Sequence, residues 1–170
     1  MSGEPRPSLI ASTEEQTVTI RPASWRDLWA VRLLNRRLFP EPYAFWRFVG
    51  YHLSSQGWIW VAECGPERIG YAVLTLSLYT DPRRMVGEII SIATVPEHRR
   101  RGIARQMLRQ ALSRAWERGV GQVYLQVAVH NESAQRLYRE EGFVVERRLK
   151  AYYINGDDAW LMVIAGPTRP

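Results

Sequence analysis

The chain has 170 residues, of which 46% are hydrophobic and 24% charged. This is ordinary globular composition, and it excludes a wholly disordered or collagen-like chain; the length suits one domain with a sizeable core. Lys and Arg total 23 against 17 Asp and Glu, a net charge of +6, and Lys150 is the sole lysine, so an arginine-rich surface favours anionic partners: phosphates, nucleic acid or acidic protein.

Residues 1–16 are polar, carry two prolines and read as a flexible N-terminal tail. They lack the apolar core of a secretory signal. No later run approaches the ~18–20 apolar residues of a membrane span. The alternation of Thr17 to Arg21 predicts a strand. Ser24 or Asp27 can cap a helix to about Leu38, with Leu28, Val31, Leu34 and Leu38 on one face. Phe39-Pro40-Glu41-Pro42 breaks it. Tyr43 to about Leu53 is a second, aromatic-rich helix. Trp58–Glu63 and Ile69–Tyr79 form a hairpin about the turn Cys64-Gly65-Pro66-Glu67. Cys64 is the single cysteine and has no CxxC partner, so no internal disulfide and no metal site are expected. A reducing, cytoplasmic compartment follows. Asp81–Arg84 reads as a loop.

Gly87–Val95 is a short apolar strand, Pro96–Arg101 a tight basic loop, and Gly102–Arg118 an amphipathic helix. Gln122–Val129 is the next strand. Asn131-Glu132-Ser133 opens a short helix ending at Glu141-Gly142. Phe143–Arg148 and Ala159–Ile164 are two last strands about an Asn155-Gly156 turn. Strand, loop, helix and strand in the centre make a βαβ unit, whose strands are parallel. The flanks are antiparallel. The class is α+β: a mixed, mostly antiparallel sheet of six or seven strands with a central parallel pair and about four helices. Residues 17–165 read as a single domain and 166–170 as a C-terminal tail.

The basic loop carries the first functional signal. His98-Arg99-Arg100-Arg101-Gly102-Ile103-Ala104 follows a strand and opens a helix. The first helical turn offers unpaired N–H groups and positive potential, which suits a diphosphate. Gly102 permits close backbone approach, and Ala104 is small. GK[ST] and GxGxxG are both absent, so neither a Walker loop nor a dinucleotide fingerprint is present. A charged turn before an amphipathic helix is the plainer reading of the loop taken alone.

Arg99-x-x-Gly102-x-Ala104 resembles the pyrophosphate-binding motif of the GNAT acyltransferase superfamily. Asn131-Glu132-Ser133-Ala134, Leu137-Tyr138 and Gly142-Phe143 are similar to that superfamily's N-x-x-A-x-x-x-Y-x-x-x-G-F pattern. SIATVPEHRRRGIA, VYLQVAVHNESAQRLY and AYYINGDDAWLM resemble segments of the N-terminal acetyltransferases, including the ribosomal-protein alanine type and the archaeal type. The resemblance spans residues 17–165. It implies acetyl-CoA as the acyl donor and a protein N-terminus, ribosomal protein among the candidates, as acceptor.

The implied reaction is direct attack of an amine on a thioester. It needs a neutral amine, a stabilised oxyanion and a proton for the departing thiolate. An α-amine of pKa ~7.7–8.0 is already neutral to the order of a tenth at pH 7, whereas a lysine at ~10.4 is not. The resemblance places Tyr138 beside the CoA sulfur as general acid; its spacing alone also fits a core aromatic. Relatives carry Glu or His where this chain has Gln126, which cannot take a proton. Glu88 stands at the other position that relatives use, and is expected to act as base through water. Ile92, Ala93 and Thr94 are implied to hold the acetyl and pantetheine groups by their backbone, provided the neighbouring strand diverges. Arg99, Arg100, Arg101, Gly102, Ile103 and Ala104 are implied to hold the diphosphate. Asn131 and Ala134 are placed at the pantetheine arm; Asn131 also suits a helix cap.

Phe39, Pro40, Glu41 and Tyr43 resemble the loop that contacts the substrate N-terminus, with Glu41 attracting its ammonium or selecting small residues. Tyr152 and Tyr153 resemble hairpin tyrosines on the other side of the peptide, and Gln126 is placed with the substrate. His52, His98 and His130 have no ligand spacing. Two other acceptors remain open, a small-molecule amine or a lysine side chain. A catalytically weak acyl-CoA-binding module and a ribosome or nucleic-acid binder using the Arg99–Arg118 stretch are the readings of another class. A monomer or weak homodimer is expected, with no membrane partner.

Overall fold

The computed structural model describes residues 17–78 and 85–167. The expected tail at 1–16, the end of the strand at Tyr79 and the loop at Asp81–Arg84 lie outside the described residues. Seven strands form one sheet: β1 Val18–Pro22, β2 Gly57–Cys64, β3 Glu67–Leu78, β4 Met85–Thr94, β5 Gln122–Ala128, β6 Val144–Leu149 and β7 Ala159–Ala165. Four α-helices accompany them: α1 Leu28–Leu38, α2 Phe45–Leu53, α3 Ile103–Glu117 and α4 Glu132–Glu140. The order across the sheet is β1-β2-β3-β4-β5-β7-β6, antiparallel throughout except for the parallel pair β4–β5. The expected α+β architecture, with its central βαβ crossover, is therefore what forms.

Local chemistry accounts for the elements. The short 3-10 turn Trp25–Asp27 starts α1, and Ser24 and Asp27 cap one another reciprocally. Leu28, Val31 and Leu34 form its buried stripe. On α3, Ile103, Met107, Leu108, Ala111, Leu112 and Ala115 are buried and form the apolar face of the expected amphipathic helix. Asn131 caps α4, its Oδ1 accepting from the Ala134 N–H at 3.2 Å.

The helices flank the sheet on both sides. Tyr71 of β3 meets Asn35 of α1, whereas a side chain at its neighbour Gly70 would run into Met107 of α3. Successive strand residues face opposite ways, so α1 and α3 lie on opposite faces. On the α1–α2 side a buried polar chain replaces simple apolar packing. Asn35 Nδ2 donates to the Tyr71 hydroxyl at 2.8 Å, and that hydroxyl lies 2.9 Å from Ser91 Oγ. Asn35 Oδ1 accepts from the Tyr43 backbone N–H at 2.6 Å. All three side chains are buried, so each has found the partner that burial demands. The chain fixes the α1–α2 loop to the sheet.

Two details shape the centre. Among the described residues β4 and β5 pair over three positions, Val86 with Gln122, Gly87 with Val123 and Glu88 with Tyr124. A Cβ on Gly87 would lie 2.9 Å from Val123 Cγ2, so glycine allows this close approach. Beyond Glu88 the strands part: β5 stays with β7, and β4 stays with β3. β4 also carries a bulge there, since Val73 pairs with Ser91 while Leu74 pairs with Ile89, leaving Ile90 as the extra residue. Residues three apart on a regular strand face opposite sides. The extra residue puts Glu88 and Ser91 on the same side, that of α1 and α2.

The Asn155-Gly156 turn expected between the last two strands lies within the connection of residues 150–158 that joins β6 to β7, and the Gly156 N–H donates to the Tyr153 carbonyl at 2.9 Å. Asp158 organises that connection by accepting from Arg148 and from the Ala151 N–H, and such bonds hold a longer loop open. The basic loop contains a 3-10 turn at Pro96–His98, which Pro at its first position favours. Gly166, read as tail, is bonded to Gly121.

Candidate active site

The cleft opens where β4 and β5 separate. Glu88 and Tyr124 are the last paired residues before the split, and the Tyr124 hydroxyl donates to Glu88 Oε2 at 3.0 Å. Gln126 lies two residues further along β5, hence on the same face, opposite Leu161 of β7. Glu88 and Gln126 thus share one sheet face.

Two loops stand over this opening. The α1–α2 loop brings Phe39, Pro40, Glu41 and Tyr43; the β6–β7 connection brings Tyr152 and Tyr153. Glu41 Oε1 accepts a hydrogen bond from the Ile154 N–H at 2.9 Å, tying the two loops together. Glu41 was expected to face a substrate ammonium group; one of its oxygens instead has this backbone partner. Phe39 packs edge-on against Tyr71. Tyr152 and Tyr153 stack edge to face with centroids 5.1 Å apart.

Charge couples these groups. Burial pushes Tyr43 and Tyr152 above the ordinary tyrosine value, with the Glu88 carboxylate adding to both. Burial likewise pushes Tyr153 up to about 12. Tyr138 is buried on α4 beside Phe143, at 5.9 Å between centroids. Burial first, then the proximity of Tyr153, pushes its hydroxyl up to about 12. The hydroxyl therefore stays protonated across the neutral range.

The basic loop sits at the start of α3. Gly102 is its N-cap, at φ 76° in the left-handed region that glycine favours. The first helical bond runs from the Gln106 N–H to the Gly102 carbonyl, so earlier N–H groups of that turn, including Ile103 and Ala104, have no intrahelical acceptor. Arg99 Nε bonds the Thr94 carbonyl at 3.2 Å, and Arg101 lies 3.1 Å from His98 Nδ1. Among the described residues, the upper half of β4, with Ile92, Ala93 and Thr94, has β3 on one side and no paired strand on the other, and the buried Thr94 Oγ1 has no hydrogen-bond partner. A strand edge leading to cationic helix N–H groups fits an extended ligand that ends in phosphate. Asn131 and Ala134 meet each other through the α4 cap.

Sequence reasoning missed Tyr124, Asn35, Tyr71 and Ser91, whose roles arise from pairings across the sheet. It also missed Arg47 and Tyr51 on α2. Arg47 Nε donates to the Tyr51 hydroxyl at 2.7 Å, and its guanidinium carbon lies 4.6 Å from the Tyr43 ring centroid. A lone cation in the aromatic run Phe45-Trp46-Arg47-Phe48 was the available signal.

Comparison with known proteins gives the same picture. The model of the acetyltransferase (GNAT) family matches residues 23–143. An N-alpha-acetyltransferase of Sulfurisphaera tokodaii is 31% identical over 150 residues, covering 84% of this chain and 90% of that protein. N-alpha-acetyltransferase 30 of Xenopus laevis is 32% identical over 129 residues, covering 76% of this chain and 46% of that longer protein. The crystal structure of Arabidopsis thaliana NAA60 in complex with a bisubstrate analogue superposes with a TM-score of 0.82 at 26% identity, covering 90% of this chain and all of that one. With the split sheet and the family match over residues 23–143 together, this chain belongs to the acetyltransferase (GNAT) family.

Proposed function

We propose that the chain moves the acetyl group of acetyl-CoA to the α-amine of a protein N-terminus. The observation that carries this reading is the cleft at the β4–β5 split, where Glu88 sits under two loops joined by Glu41 and Ile154. A strap of this kind leaves a slot suited to an extended chain end. Similarity to proteins named N-alpha-acetyltransferase supports the same acceptor class.

Acetyl-CoA supplies an activated thioester. Arg99, Arg100, Arg101, Gly102, Ile103 and Ala104 would hold its phosphates, and the open edge at Ile92, Ala93 and Thr94 would hold the pantetheine, with Asn131 and Ala134 alongside. Glu88 takes the ammonium proton through water, while the Tyr124 hydroxyl holds one carboxylate oxygen. Tyr138 delivers a proton to the departing thiolate. Gln126, which cannot titrate, orients water or the acceptor amide. Phe39, Pro40, Tyr43, Tyr152 and Tyr153 wall the slot. Supplying a neutral amine asks little of the base, because an α-amine is already neutral to the order of a tenth at pH 7; its larger task is the proton that the nitrogen loses on attack.

A ribosomal protein remains the candidate acceptor. Ribosome proximity through the Arg99–Arg118 stretch would rest mainly on Arg99, Arg100 and Arg101. Further along, Arg105 and Arg109 pair with Glu140 and Glu141, Arg114 pairs with Glu117, and Arg118 stacks on Trp58.

The test is CoA release with peptides that vary in their first two residues, each beside an N-blocked twin carrying a free lysine. Release with free N-termini alone is expected. Release from the lysine twins as well would move the acceptor to side-chain amines.

A further inference from the structure

We infer that Arg47 makes this enzyme prefer acceptors bearing a carboxylate side chain next to the free amine, at the first or second residue. The inference rests on the N-terminal acceptor proposed above and names its class. Arg47 is the third residue of α2 and is exposed. Its guanidinium is held in place: the carbon lies 4.6 Å from the Tyr43 centroid and 5.9 Å from that of Tyr51, and Nε is bonded to the Tyr51 hydroxyl at 2.7 Å. These contacts engage one face and one edge of the fork. Among the described residues no carboxylate lies within salt-bridge distance of it.

The position is a poor one for a purely structural cation. The first turn of α2 carries no acidic residue to balance the charge, and a cation there opposes the helix dipole. An apolar side chain would stack on Tyr43 without that penalty. What arginine adds is a planar set of donors that matches a carboxylate in two-point geometry.

Its place relative to Glu88 sets the direction. Arg47 packs on Tyr43, and Tyr43 is tied through Asn35 and Tyr71 to Ser91, which shares the β4 face of Glu88; Glu88 and Arg47 therefore lie on the same side of the sheet, and Tyr43 and Tyr152 feel both charges. Glu88 lies at the base, where β4 and β5 part, and Arg47 lies on α2 above Tyr43. A negative base and a positive rim complement a chain end whose α-ammonium enters first and whose acidic side chain follows. Such complementarity acts chiefly on selection among partners.

The experiment compares kcat/KM for C-terminally amidated peptides in matched sets. Asp, Asn and Lys, or Glu, Gln and Lys, occupy position 1 or 2 ahead of one common sequence. Wild type, Arg47→Lys, Arg47→Gln and Arg47→Glu are assayed together. The wild type is expected to favour the acidic peptide over its amide twin by about fivefold at low salt, the ceiling for an exposed pair, and less as salt rises. R47K should keep part of this ratio, R47Q should bring it near one, and R47E should reverse it toward lysine. Because each ratio is internal to one variant, loss of overall activity does not obscure it. Equal rates for acidic and amide twins in the wild type, or a ratio unmoved in R47Q and R47E, would overturn the role of Arg47 and leave the acceptor class standing. Absence of turnover with every peptide would overturn both.

Discussion

The Tyr124 hydroxyl donates to a Glu88 carboxylate oxygen at 3.0 Å, across the last paired position of the two parallel strands. The bond joins the two halves of the sheet at the point where they begin to separate. It also fixes which way the carboxylate faces. For a base acting through water, that orientation matters as much as basicity.

Replacing the carboxylate separates these two contributions. Glu88→Gln keeps the shape and can still accept from Tyr124, but cannot take a proton. Its kcat/KM for an N-terminal peptide should fall by about 100-fold at pH 7, the lower range for general base catalysis. Tyr124→Phe should fall about tenfold or less, because the base remains and only its positioning loosens. Rates measured from pH 6 to 9 check this. An E88Q profile that overlays the wild type would remove Glu88 from the chemistry.

Tyr138→Phe removes one oxygen and keeps the ring that packs on Phe143. Its kcat should fall by about 100-fold, with a urea midpoint close to that of wild type at pH 7. The same residue has a signature at high pH. Burial pushes Tyr71, Tyr138 and Tyr153 up to about 12, whereas an unfolded tyrosine titrates near ~10. Between those values the native state keeps protons that the unfolded chain has released. Stability is thus full below about pH 10 and falls as pH rises toward 12. Urea midpoints at pH 9.5 and 11.5 should show the fall, and Y138F should show a shallower one.

Asn35 bridges the Tyr43 N–H and the Tyr71 hydroxyl inside the protein. Asn35→Leu leaves a buried donor and a buried hydroxyl without that partner. A loss of about 2–3 kcal/mol is expected, measured by urea unfolding. The loop that Asn35 anchors carries Tyr43, so KM for the peptide should rise several-fold while KM for acetyl-CoA stays nearly constant. Equal increases in both constants would show a general loosening.

Asp27 is buried among Arg21, Arg68 and Ser24, with contacts of 2.8, 2.8 and 2.7 Å. The Arg21 guanidinium holds its carboxyl well below the usual carboxylate range. This contribution to stability is present above the unfolded carboxylate value of ~3.9 and is lost as pH falls below it, because the unfolded chain then binds the proton first. Asp27→Asn should cost about 3 kcal/mol at pH 7. Its urea midpoint should also change less than that of wild type between pH 4 and 2.

The sequence by itself determined the elements and the family. Strand alternation, the rows of α3, the break at Pro40 and Pro42, and the cap at Asn131 are effects between residues a few positions apart, so they can be read along the chain. Gly102 after three arginines is likewise a local motif. Only the tertiary structure decided the register. Nothing in the composition of β4 marks Ile90 as a bulge, yet that extra residue sets the side on which Glu88 emerges. The partners that define the cleft are distant in the chain: Glu88 with Tyr124, Asn35 with Tyr71, and Glu41 with Ile154 are separated by 36, 36 and 113 positions. Side chains of this kind are polar residues on amphipathic elements until the strands pair. Pairing, with burial of the groups between, then turns Tyr124 into the partner of Glu88 and puts Arg47 at the rim.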